Sequence, residues 1–233
     1  MTGPNLIFRL FGAAAVLVGL PAAADAATIA LWTFETNPPS SAGPISPDVG
    51  FGSGAAVHAV PDNFSNPSGN GSAESWNTNS WAVGDYYQFE VSTLGQSGVA
   101  FSWDQTRSSS GPGNASPNDP NFRLQYGTDG INFTDVVDYL VPVVTWNNTT
   151  ADSSTMFSQD LSSVAALNNQ ANVYFRLTAI SPPLNSGGQS RVDNVTVTVI
   201  PEPASSLLLV AGLAALATRN RYTAQCAGAL RRE

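Results

Sequence analysis

The chain has 233 residues, with nine arginines, no lysine, 17 acids, one histidine and one cysteine. Between residues 27 and 200, four arginines stand against fourteen acids, a balance of −10 that repels phosphate backbones and leaves no basic stripe for nucleic acid. The single thiol, Cys226, falls near the C-terminus, so residues 27–200 hold neither a disulfide nor a cysteine-based metal site.

The N-terminus reads as an export signal. Arg9 supplies positive charge, residues 10–20 an apolar run of eleven, and Ala24-Asp25-Ala26 a small-x-small cleavage rule that places the cut after Ala26. Eleven apolar residues are too few to cross a bilayer core about 30 Å thick. About 175 residues then remain for one domain, enough for a single core.

Helical periodicity is nearly absent from residues 27–200. Period-two stretches of β-branched and aromatic residues recur instead, separated by Gly, Pro, Asn and Ser. Strands are predicted at 28–34, 85–91, 99–104, 122–126, 131–137, 156–160, 173–180 and 191–200. Gly127-Thr-Asp-Gly130 marks a hairpin, and a short helical turn capped by Asp160 is expected at 161–167. Eight or nine strands predict an all-β, jelly-roll-like antiparallel sandwich. Residues 37–56, 61–80 and 108–121 read as long loops, either surface decoration or a binding rim.

From residue 201 the composition changes. Pro201-Glu202-Pro203 ends the last strand, residues 205–218 run without a charge, and Arg219-Asn220-Arg221 closes the run. As a helix, residues 204–218 would span about 22 Å, short for a bilayer but able to insert with local thinning. A Pro-Glu-Pro, an apolar stretch and an arginine cluster in this order resemble the PEP-CTERM sorting tail of exopolysaccharide-producing Gram-negative bacteria. The resemblance implies an exosortase-type membrane protease as partner, cleavage near Pro201-Glu202-Pro203, transient anchoring through 204–218, and delivery to the cell surface or extracellular matrix. An unprocessed anchor is the plainer alternative. Residues 222–233 extend past the point where such tails end.

Residues 27–200 also resemble a bacterial extracellular jelly-roll module, through Tyr86-Tyr-Gln-Phe-Glu-Val91, Phe101-Ser-Trp-Asp104, Phe122-Arg-Leu-Gln-Tyr126 and Arg191-Val-Asp-Asn-Val195. Such modules hold a structural Ca²⁺ where first and last strands meet, and the resemblance puts Glu35 and Asp193 in those ligand positions. The plain reading of Asp193 is an outward strand residue paired with Arg191, and of Asp129 a turn residue.

Enzymatic constellations fail on inventory. His58 is the one histidine, which excludes multi-histidine zinc hydrolysis, and it stands beside no nucleophile motif. A carboxylate pair for glycoside cleavage remains the weakest alternative. A carbohydrate-binding module is the stronger one. Trp32 and Trp103 fit core positions, whereas Trp76 and Trp81, flanked by Asn77, Asn79 and Ser80, are the expected exposed platform for sugar rings. Arg107 is expected to pair with Asp104 or to bind a ligand carboxylate. The favoured function is an exported, non-catalytic surface or matrix protein.

Overall fold

The computed structural model describes residues 26–60, 62–113 and 118–201. Most of the export segment, the Glu202-Pro203 half of the sorting motif, the stretch 204–218 and the extension 222–233 lie outside them. Twelve strands form two sheets: β1 (Ala27–Trp32), β2 (Val49–Gly50), β3 (Ser53–Val57), β4 (Phe64–Ser65), β5 (Trp76–Thr78), β6 (Tyr86–Val91), β7 (Gln96–Arg107), β8 (Phe122–Gly127), β9 (Thr134–Tyr139), β10 (Met156–Asp160), β11 (Val173–Ala179) and β12 (Ser190–Pro201). One sheet runs β10-β7-β12-β1-β2, with β5 also paired to β12 and β4 to β5; the other runs β3-β6-β11-β8-β9. Every strand pairing is antiparallel. The chain changes sheet at most connections, so the two sheets are stitched together along their length.

The predicted strands all form, within a few residues at their ends. Alternation explains why: β6 and β11 bury every second residue, and Phe89, Val91, Val173, Phe175 and Leu177 face the other sheet. The core between the sheets is aromatic. Phe101 stacks on Phe175 at 4.5 Å, Trp32 meets Phe89 edge-on at 5.1 Å, and Trp103 stacks on Phe157 at 5.4 Å.

The segments expected as loops at 37–56 and 61–80 contain β2, most of β3, β4 and β5, which raises the strand number above the expected eight or nine. Strand β3 is Ser-Gly-Ala-Ala-Val, without the β-branched and aromatic signature, and is held as an edge by its ladder to β6. The turn expected at 161–167 shrinks to a 3₁₀ turn at Ala165–Leu167, while Asp160 caps locally by accepting the Ser162 N–H at 2.9 Å. Asp129 is the turn residue expected: its carboxylate accepts the N–H groups of Ile131 and Asn132, which hold its pKa down at about 2.

Strands β7 and β12 are the longest and lie side by side. Register between them slips after Asp193, where Asn194 takes φ +49°, a left-handed conformation that Asn tolerates. Without that bulge, Val195, Val197 and Val199 would face outward; with it all three are buried. Truncating the centre of this core, Phe101→Ala, should cost about 3–5 kcal/mol, with the melting temperature falling about 2–4 °C per kcal/mol. Thermal unfolding followed by circular dichroism checks this.

Candidate functional site

Asp193 and Asp104 are directly opposite across β12 and β7. Alternation turns both toward the outer face of their sheet, yet they are 0% and 7% exposed. The cover is the segment around residues 69–74. Asn70 donates its backbone N–H to Asp193 Oδ2 at 2.8 Å and its amide to Asp104 Oδ2 at 3.0 Å. Ser72 donates to Asp193 Oδ2 at 2.6 Å, and the Asn194 amide donates to Asp104 at 2.9 Å. Burial pushes the Asp193 carboxyl up to about 7, with Asp104 adding repulsion and the bonds from Ser72, Asn70 and Asn194 pulling the other way. Burial raises Asp104 as well. No arginine relieves either: Arg191 donates to the Ser68 carbonyl, and Arg107 to the carbonyls of Val141 and Ser108. The expected Asp193–Arg191 and Asp104–Arg107 ion pairs are therefore absent, because both guanidinium groups are drawn to loop carbonyls.

Glu35 reaches the same covering segment from the other side. The chain leaves β1 through Phe34 at φ +61°, which drops the ring into the core against Trp76 and puts Glu35 outside. Asp48 steadies this turn by accepting the N–H groups of Thr33, Phe34 and Thr36 at 2.7–3.0 Å. Glu35 Oε1 then accepts the Glu74 N–H at 2.8 Å. Both expected ligand residues thus hold one short segment, two and four residues apart along it.

Beside Gly69 three oxygens converge. A Cβ there would stand 2.0 Å from Ser72 Oγ, 2.2 Å from Asp193 Oδ2 and 2.2 Å from the Glu74 carbonyl oxygen. Carboxylate, hydroxyl and carbonyl oxygens are the hard donors that Ca²⁺ takes. Among the described residues no three His, Cys, Asp or Glu side chains are grouped to hold a metal. A Ca²⁺ here would draw on Asp193, Ser72 and the Glu74 carbonyl, with Glu35 next to them.

Trp76 and Trp81 are not the exposed platform the sequence suggested. They are 0% and 3% exposed, packed on Tyr87 at 5.1 and 5.2 Å. Polar neighbours misled here: Asn77 and Thr78 are themselves buried, in a strand covered on one side by β4 and paired on the other with β12. A sugar ring has no access to either indole.

An open polar face lies elsewhere, on the outside of the five-stranded sheet. Its cross-strand rows read Ala55, Gln88, Arg176, Gln125, Asp135; then Val57, Tyr86, Thr178, Arg123, Asp138; then Ser53, Glu90, Tyr174. Hydrogen bonds tie the rows: Arg176 Nε donates to Gln88 Oε1 at 2.8 Å, Thr178 to Gln125 Oε1 at 2.9 Å, and Gln125 to Asp135 at 2.7 Å. At the β3 edge a shallow depression of about 260 Å³ is lined by Phe51, Ser53, Glu90 and Asn172. Phe51 is 90% exposed, between two glycines the fold requires. A Cβ on Gly50 (φ +81°) would meet the Ile29 carbonyl at 1.9 Å, and one on Gly52 the Glu90 carbonyl at 2.5 Å. The backbone is pinned on both sides, so the phenyl ring projects into water. The Gly-Phe-Gly triplet was the sequence signal for it; the loop assignment obscured it.

Two outcomes are expected. Without divalent cation, the folded state holds Asp193's proton up to about pH 7 while the unfolded chain releases it near 4, so this residue's contribution to stability is lost as pH rises from about 4 to 7. His58 acts oppositely: burial lowers its pKa despite Asp62 and Asp85, so its contribution is lost as pH falls below 6.5. Melting curves at pH 5 and 8 should therefore show a loss at pH 8 in EDTA that Asp193→Asn removes and millimolar Ca²⁺ reverses. Trp76→Ala should unfold the domain by about 3–5 kcal/mol, a loss that denaturant titration reads directly.

No family model matches the chain, and no curated protein is similar to it. Among solved structures it is similar to the tandem CBM22-1-CBM22-2 domain of Xyn10C from Paenibacillus barcinonensis, at 10% identity and TM-score 0.46, over 79% of this chain and 49% of that one. The chain thus spans about half of that protein's length. It is similar to a family 61 carbohydrate-binding module solved with β-1,4-galactotriose, at 10% identity and TM-score 0.37, over 71% and 92% of the two chains. The K3 cleaved adhesin domain of Lys-gingipain from Porphyromonas gingivalis is similar at 15% identity and TM-score 0.41, over 74% and 99%. At these scores the likeness says nothing of this chain's ligand.

Proposed function

We propose that this is an exported, non-catalytic polysaccharide-binding protein of the cell surface or extracellular matrix, built as a jelly-roll sandwich. The observation that carries the reading is the outer face of the five-stranded sheet. It offers rows of amide, hydroxyl and guanidinium groups, with the Phe51 ring held in water at its margin. Sugars bind through such pairings, since hydroxyls need fixed donors and acceptors while the C–H faces of the ring stack on an aromatic. The face is broad and shallow, suited to a polymer lying across strands rather than to a single buried sugar.

Delivery would follow from the sequence. The leader before residue 27 and the tail from Pro201 support export and sorting by an exosortase-type membrane protease, with the 204–218 stretch as a transient anchor. A Ca²⁺ bound at Asp193, the Glu74 carbonyl and Ser72, beside Glu35, would be structural: it neutralises a buried carboxylate on the face remote from the sugar. Intact-mass measurement of surface-recovered protein tests the processing, with everything after about Pro203 expected to be missing.

Phe51→Ala tests the face. Loss of one stacking ring of about 0.5–1.5 kcal/mol should weaken oligosaccharide binding roughly 2- to 13-fold. The melting temperature should stay within about 2 °C, because an exposed side chain carries little stability. A glycan array followed by calorimetry reads both, and unchanged binding in the variant would refute this face.

A further inference from the structure

The domain's four arginines are placed in contrasting ways. Arg123 is held by two acids, Asp135 at 2.6 Å and Asp138 at 2.5 Å. Arg107 and Arg191 donate into loops, to the carbonyls of Val141, Ser108 and Ser68. Arg176 stands on the open face, and among the described residues no carboxylate lies within 4.0 Å of it. Its direct cross-strand neighbours are two amides, Gln88 on β6 and Gln125 on β8, in a domain where acids outnumber arginines fourteen to four.

The guanidinium is nonetheless fixed. Its central carbon lies 3.9 Å from the Tyr86 ring centroid and 3.5 Å from that of Phe133, and Nε donates to Gln88 Oε1 at 2.8 Å. Phe133, which follows the β8–β9 turn, also meets Tyr174 at 6.5 Å. Two rings and one amide settle the position of the group, while its two terminal nitrogens make no hydrogen bond among the described residues. A planar fork with its orientation already set and its outer edge free matches the two oxygens of a carboxylate. Little side-chain entropy remains to be lost on binding.

Building on the polysaccharide-binding reading, we infer that this face selects an acidic polysaccharide, with Arg176 taking the carboxylate of a uronic acid residue in a bidentate pair. Gln88, Gln125 and Thr178 surround that point and serve the neighbouring hydroxyls. The net charge sharpens the argument. A domain at −10 repels polyanions in general, so preference for an acidic over a neutral oligomer has to come from a local contact.

The test is calorimetry of the full chain with three probes: a galacturonic acid pentamer, its methyl ester, and the galactose pentamer. The acidic pentamer should bind at least tenfold more tightly than the other two. Arg176→Gln should erase that preference, and Arg176→Lys should restore only part of it, because an ammonium keeps the charge but not the fork. Melting curves confirm that each variant is folded. Equal binding of acid and ester by the wild type, or an undiminished preference in Arg176→Gln, overturns the inference. If neutral oligomers bind and Phe51→Ala weakens them while no acid preference appears, the carboxylate assignment alone falls. If no oligosaccharide binds, acidic or neutral, both readings fall.

Discussion

Two carboxylates placed opposite each other under a roof of chain are the constraint on which much of this molecule depends. Asp104 and Asp193 stand on adjacent central strands, where like charges would repel, and water is kept from both. Their position is tolerable only because Asn70, Ser72 and Asn194 aim donors at them. Asn70 also ties in the chain at Asp152, accepting its N–H at 2.6 Å. The bulge at Asn194 belongs to the same arrangement. It brings the Asn194 amide to Asp104 and resets β12 so that its valines return to the core. Register, roof and core parity are therefore one problem with one solution.

The two sheets consequently differ in what their outer faces do. The seven-stranded sheet has its central polar residues covered by the segment around residues 69–74, and Glu35 secures that cover from the strand opposite. The five-stranded sheet keeps its outer face uncovered, and side chains there are linked mainly to each other. Stability and recognition are thus assigned to opposite sides of one aromatic core, and substitutions on one side should leave the other largely undisturbed.

Much of the fold was legible in the sequence, because β6, β7, β8, β11 and β12 carry strict alternation of large apolar residues. Strands β3 and β5 were not. Ser-Gly-Ala-Ala-Val and Trp-Asn-Thr have no strand signature of their own, and their ladders come from partners about 30 and 115 residues away. The same gap misplaced the tryptophans. Trp76 and Trp81 look exposed beside asparagines, until β4 and β12 enclose those asparagines too. Glu35 and Asp193 were found by resemblance, but the burial of Asp193 depends on Asn70, far away in sequence. Nor could the sequence distinguish Arg176 from Arg107: each lies near aromatic residues, and only cross-strand register shows which guanidinium stays free.

The first and last strands are zipped together, Ala27 against Val199, so the described chain starts and stops at one end of the sandwich. For a protein tethered through whatever follows Pro201, that is a mechanical statement. Traction on Pro201 pulls β12 along its own length, loading its hydrogen bonds to β1 and β7 in shear, many at once, rather than peeling them singly. If the opposing grip is a polymer lying on the five-stranded sheet, the load leaves β12 sideways through interlocked rings such as Phe101 on Phe175. The weakest links in that path are then the contacts to the polymer, so a hard pull should release the ligand before it opens the fold.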